Sequence, residues 1–205
     1  MRLDVLNIRG ENTGRSVELP ADVFGIEPNE HALYLAVKSS LAAQRQGTHS
    51  SKGRSQVAGS TRKLVKQKGT GGARKGDIKN PLYRGGGRMF GPKPHKYEIK
   101  LNTKVKRLAR KSALSSKAAS GSIIVMEDFT FDAPKTKQFA EIISKLKVGK
   151  SLFVTGDYDK MLYLSCRNMP HTSISPANEI NTYQIMNGGT LILAESSIAK
   201  IQATF

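Results

Sequence analysis

The sequence predicts an α/β fold, a parallel sheet with helical crossovers, that carries one long extended basic loop. Three observations predict it. Beyond Gly121, short apolar runs alternate with amphipathic stretches, the pattern of strands joined by helices. Net charge is +17 over 205 residues, and 20 of the 33 Lys and Arg fall between Arg45 and Lys111 beside two acids, Asp77 and Glu98. Within residues 45–96 only ten of 52 residues are hydrophobic, while eleven of the 19 glycines gather there. Such a segment cannot bury enough apolar area to offset ordering entropy and its own charge repulsion, so alone it is expected to be disordered. The remainder holds 13 cations and 14 acids and is nearly neutral. At 38% hydrophobic the chain can form one sizeable core. A single globular domain over 1–205 is expected, with 47–97 inserted in it as the loop.

The elements follow in order. RLDVLNI and RSVEL, within the first twenty residues, predict a hairpin or an edge strand. PNEHALYLAVKSSLAAQRQ sets Leu33, Val37 and Leu41 at helical spacing, with Asn29 as cap. After the basic segment, a helix capped by Asn102 places Val105, Leu108, Ala109, Ser112, Ala113 and Ser116 on one face, with Lys106, Arg107, Arg110, Lys111 and Lys117 opposite. IIVM (123–126) reads as a buried strand. PKTKQFAEIISKLKVG reads as a helix that turns Phe139, Ile142, Ile143 and Leu146 inward and stops at Gly149. SLFVT (151–155), a helix from Asp157 toward Cys166, a short strand over 172–175, a helical turn around Tyr183, the strand TLILA (190–194) and a helix capped by Ser196 complete the series. Alternation of this kind implies parallel strands.

Nucleotide chemistry finds no motif. Gly71 and Gly76 have P-loop spacing, but Asp77 stands where the lysine is required; Gly69 and Gly71 begin a dinucleotide fingerprint that Arg74 breaks. The Ser60 to Lys63 SxxK lacks its companion motifs. Glu127, Asp128, Asp157, Asp159 and Glu195 follow strands and are read as helix caps and dipole partners rather than metal ligands. His31, His49, His95 and His171 have no ligand spacing, and Cys166 alone allows no disulfide. No catalytic residue, metal or cofactor is expected. No run approaches the roughly 20 apolar residues that span a bilayer, so no membrane partner is expected and a cytoplasmic location is.

The charge calls for a polyanion. Lysine and arginine neutralise phosphates, glycines let the backbone approach closely, and Tyr83, Phe90 and Tyr97 can stack on bases. A long glycine-rich arm, without a recognition-helix module, suits an irregular folded RNA better than a DNA duplex. The expected RNA-binding cations are Arg45, Lys52, Arg54, Arg62, Lys63, Lys66, Lys68, Arg74, Lys75, Lys79, Arg84, Arg88, Lys93 and Lys96 in the loop, with Lys106, Arg107, Arg110 and Lys111 on the following helix. An RNA-dependent enzyme with a basic arm, and a nucleoid or membrane-surface protein, are the competing classes.

KQKGTGGARKGD (66–77), NPLYRGGGRMFGPKP (80–94) and NTKVKRLARKSALSSKA (102–118), led in by RQGTHSSKGRSQVAGSTRK (45–63), resemble the bacterial type of the fourth large-subunit ribosomal protein family. The resemblance implies an α/β body with a parallel four-stranded core sheet and helices on both faces, its loop threaded through large-subunit ribosomal RNA among neighbouring large-subunit ribosomal proteins. It implies that Gln67, Lys68, Gly69, Thr70 and Gly71 line the nascent-peptide exit tunnel, opposite a second ribosomal protein's loop. Arg74 and Lys75 would hold RNA behind that wall, the nascent peptide would pass the tip, and changes near Lys68 would alter macrolide susceptibility. Leu64 and Val65 replace a proline and a tryptophan common in the family, and Gly72 a frequent arginine.

Overall fold

The protein, described by a computed structural model over Met1–Phe205, divides into two compact units. One comprises Met1–Leu41 with Ile99–Phe205, and the other Ala42–Glu98. In the first, strands β1 (Arg2–Leu6) and β2 (Asn12–Glu18) lead into a one-turn helix α1 (Ala21–Phe24) and then α2 (Glu30–Ala43), whose last two residues belong to the second unit. After the second unit come α3 (Thr103–Ala119), β3 (Ile123–Met126), α4 (Thr136–Leu146), β4 (Ser151–Thr155) and α5 (Lys160–Cys166). The chain ends with β5 (Thr172–Pro176), α6 (Thr182–Asn187), β6 (Thr190–Ala194) and α7 (Glu195–Ala203).

The six strands form one mixed sheet in the order β2-β1-β3-β6-β4-β5. β1 pairs antiparallel with β2 but parallel with β3, through Val5 opposite Val125 and Leu6 opposite Met126. Five strands are therefore parallel where four were expected. The amino-terminal segment forms the expected hairpin, which joins the sheet through β1 and leaves β2 at its edge.

Alternation along the central strands divides the core between two faces. Leu152 and Val154, Leu191 and Leu193, and Val125 point to one face, where Leu114 of α3, Ile185 of α6, and Ile198 and Ile201 of α7 cover them. Phe153, Ile192 and Met126 point to the other, under Phe139, Ile142 and Ile143 of α4 and Leu162 and Cys166 of α5. Helices thus lie on both sides. Burial pushes the Cys166 thiol up to about 11, so it stays protonated and inert at neutral pH.

Several local expectations are corrected by partners remote in sequence. α2 buries Ala32 and Ala36 against Ala109, with Leu33 and Val37 only half-buried and Leu41 exposed, because small side chains let α2 and α3 approach. Asn29 does cap α2, accepting from the Ala32 N–H at 2.8 Å. Asn102 makes no side-chain cap on α3. On α3, Leu108 is exposed, while Leu114 and Ser115 are buried. The buried serines hold the 23–29 connection: Ser115 Oγ accepts from Ile26 N–H and donates to Val23 C=O, and Ser112 Oγ accepts from Asn29 N–H. α4 ends at Leu146 with Lys147, left-handed at φ 52°, as its C-cap, two residues before Gly149. Ser196 does not cap α7 with its side chain; Asp128 accepts from both its N–H and its hydroxyl, at 3.1 and 2.6 Å. The remaining acids are similarly occupied. Asp159 caps α5, Asp157 pairs with Lys200 at 2.5 Å, and Arg15 reaches Glu195 at 3.1 Å and Glu127 at 3.7 Å.

Candidate nucleic-acid interface

Residues 44–102 form no helix or strand, in keeping with their glycine and charge content. They are not the disordered chain that composition predicts, because hydrogen bonds between the two arms order them as a compact unit. Ser39 Oγ donates to Ile99 C=O at 2.8 Å, so the chain departs from the first unit and re-enters it at adjacent points.

Within the second unit the two arms run against each other and are pinned at successive levels. His95 N–H donates to Gly47 C=O, Ser51 N–H to Pro92 C=O and Arg88 N–H to Lys52 C=O, at 3.2, 3.0 and 2.9 Å. Farther out, Leu64 N–H donates to Gly76 C=O at 3.0 Å and closes a terminal turn. Gly69 and Gly71 sit in that turn at φ 86° and 65°, where a β-carbon would be strained. Gly47, at φ 61°, lets the arms meet, since a β-carbon there would strike His95 C=O and the Tyr97 ring.

A column of side chains reinforces the neck. The Arg45 guanidinium lies 3.8 Å from the Tyr97 ring centroid, His95 packs 4.4 Å from that ring, and His49 meets His95 edge-on at 5.9 Å. Sequence reading treated the two histidines only as missing metal ligands. Their placement flanking the neck, at 49 and 95, was the available signal. Replacing Tyr97 with Ala removes a cation–π pair of roughly 0.5–2 kcal/mol. The expected outcome is about tenfold faster hydrogen exchange at the His95 amide of the free protein; unchanged exchange would show that the backbone bonds alone close the neck.

The predicted cations separate into two groups. Arg54 reaches Asp77 at 3.3 Å, and that carboxylate, 12% exposed, ties the arms from within. Lys93 donates to Ser51 C=O and Gln56 Oε1, both at 2.9 Å, Lys63 donates to Gln67 Oε1, Lys96 pairs with Glu98, and Arg45 covers Tyr97. These five act within the segment. Lys52, Arg62, Lys66, Lys68, Arg74, Lys75, Arg84 and Arg88 are exposed and make no side-chain hydrogen bond or ion pair, and Lys79 is likewise unpaired but half-buried. Between residues 62 and 76 there is no acid. Two open clefts adjoin this turn, of 560 and 420 Å³. The first is lined by Arg62, Lys63 and Lys66, the second by Arg54, Lys63, Arg74 and Lys75. Gln67, Lys68, Gly69, Thr70 and Gly71 are all exposed at the turn.

On α3, Lys106 and Arg107 are exposed. Arg110 and Lys111 are half-buried, their charged ends 5.6 and 5.3 Å from the Phe205 ring centroid. Burial first, and then the neighbouring Arg107, lower the Arg110 pKa, though a guanidinium remains a cation. Burial also lowers Lys117, which donates to Gly189 C=O. The basic face of this helix is therefore narrower than its periodicity suggested.

Comparison with known proteins shows the family of the chain. Residues 17–204 match the ribosomal protein L4/L1 family. The chain is 58% identical over 207 residues to the large ribosomal subunit protein uL4 of Parabacteroides distasonis, covering 100% of this chain and 99% of that protein. It is 55% identical to uL4 of Porphyromonas gingivalis, with the same coverage, and 55% identical to uL4 of Flavobacterium psychrophilum, with 98% of each chain covered.

Proposed function

This chain belongs to the ribosomal protein L4/L1 family, and from that premise we propose that it builds the large ribosomal subunit by holding ribosomal RNA along residues 45–96. It is a structural ribosomal protein and not an enzyme. The observation that carries the reading is the set of unpaired cations on arms already pinned to each other. Phosphates supply the counterions that the protein itself withholds, and the pinned arms limit the entropy lost on binding.

The terminal turn carries the finer part of the proposal. Gln67, Lys68, Gly69, Thr70 and Gly71 form a stretch of wall in the peptide exit tunnel, with Arg74 and Lys75 on RNA behind it. The body and the 47–97 loop act as one inserted-loop domain, whose partners are large-subunit ribosomal RNA, adjoining ribosomal proteins and the passing nascent chain. Support comes from the exposure of these five residues and from the turn's freedom from acids.

The test places a photo-crosslinking residue at position 68 in ribosomes translating a radiolabelled chain, with exposed Lys145 on α4 as control. Labelled nascent chain is expected on position 68 and not on 145. Equal labelling at the two positions, or RNA adducts only, would remove the tunnel assignment. Lys68→Glu is expected to shift the stability of the free protein by less than about 0.5 kcal/mol, measured by urea denaturation, because an exposed, unpaired charge contributes little.

A further inference from the structure

Phe90 is fully exposed (101%) and adopts φ 50°, a backbone region that side chains larger than glycine rarely occupy. Neither feature follows from fraying. The bow from 88 to 92 is pinned at both ends to the opposite arm, through Arg88 N–H to Lys52 C=O and Ser51 N–H to Pro92 C=O. Lys93 Nζ adds a bond to Ser51 C=O at 2.9 Å. Gly87 is packed so closely on the Gly53–Arg54 backbone that a β-carbon would not fit. The segment thus spends several hydrogen bonds to hold one aromatic ring out in water, and Leu82 (90%) and Met89 (63%) are displayed in the same stretch. Fixed aromatic display of this kind is a signature of a recognition element rather than of a solvated loop.

Resting on the reading that this segment holds ribosomal RNA, we propose that Phe90 is an anchor that stacks on an unpaired RNA base. Charge favours a base over an apolar protein pocket. Arg84 and Arg88 precede the ring in the same segment, both exposed and without an acid partner, and the acids nearest in sequence, Asp77 and Glu98, are already paired with Arg54 and Lys96. A flat π-face bounded by phosphates satisfies ring and cations together, whereas an apolar pocket would leave two charges desolvated. Stacking also tolerates any base, so the residue supplies affinity and register more than sequence choice.

The chain contains no tryptophan, so Phe90→Trp introduces a single fluorophore. Binding of protein-free large-subunit ribosomal RNA is expected to quench its emission and shield it from acrylamide, while Tyr158→Trp on the body shows neither effect. Phe90→Ala is expected to weaken that binding by about 5- to 150-fold with an unchanged salt slope. Arg88→Ala is expected to lower the magnitude of the slope by about 0.7–0.9. Unquenched Phe90→Trp with full binding, or undiminished affinity of Phe90→Ala, overturns the anchor while leaving RNA binding intact. Shielding that appears only in assembled subunits assigns the ring to a protein pocket and overturns it too. A salt-independent affinity defeats the RNA reading itself, and the anchor with it.

Discussion

Excising residues 44–98 and joining the ends with a short glycine-serine linker is expected to leave a folded body that has lost ribosomal RNA. The affinity should fall by at least about a thousandfold near physiological salt, because fourteen of the eighteen expected phosphate-binding cations go with the segment. Folding should survive because Ser39 and Ile99 are already hydrogen-bonded, so the linker has almost no distance to span. The core clusters on both sheet faces contain no residue from the excised range. Filter binding across a salt series reads the first outcome, and urea denaturation the second. An excised chain that binds RNA with the native salt slope would shift the interface to α3 and the body. One that fails to fold would show that the body depends on the segment.

Phe153→Ala is expected to cost about 3–5 kcal/mol of stability, the range for truncating an aromatic in a closed core. Phe153 lies on β4, paired on both sides by β6 and β5, 1% exposed, with its ring 5.6 Å from Phe129 and 6.1 Å from Phe139 in edge-on geometry. Loss of the ring leaves a cavity under α4 and α5 that the parallel strands are too constrained to close. Chemical denaturation of the free protein measures the loss, and a value below about 1.5 kcal/mol would mean that the second face of the sheet repacks. Ribosomal RNA binding by the surviving folded fraction should be unaltered, since none of the unpaired cations is near this ring in sequence or belongs to its cluster.

Buried strands were legible where apolar runs left no alternative: 123–126, 151–155 and 190–194 coincide with β3, β4 and β6. The role of β1 was not legible. Alternating Leu3 and Val5 announce a strand, but nothing local says that its second edge will pair with Val125 and Met126 far along the chain. The caps at Asn29 and Asp159 were legible, but the one at Ser196 was not, for the same reason. Ser196 is a good local candidate, yet the acceptor that serves its N–H is Asp128, brought over by the pairing of β3 with β6. At the interface, composition located the cations but could not divide them. Arg54 and Arg62 look alike in sequence; only the arm-to-arm packing puts Asp77 against the first and leaves the second unpaired. The same holds for α3, where periodicity cannot foresee that Phe205 lies beside Arg110 and Lys111.

The strand order has a consequence for how the chain comes into being. β6, the last strand to be synthesised, sits between β3 and β4, so every shorter nascent fragment has a gap where two parallel ladders should meet. The cationic excursion leaves the ribosome well before that gap can be filled. A growing chain therefore presents its polyelectrolyte segment to the cell while its apolar body is still open, and parallel pairing over such sequence separations is intrinsically slow. Each newly made copy passes through an interval in which stray RNA and unfinished β-edges are exposed together, and the time to add and dock TLILA sets its duration.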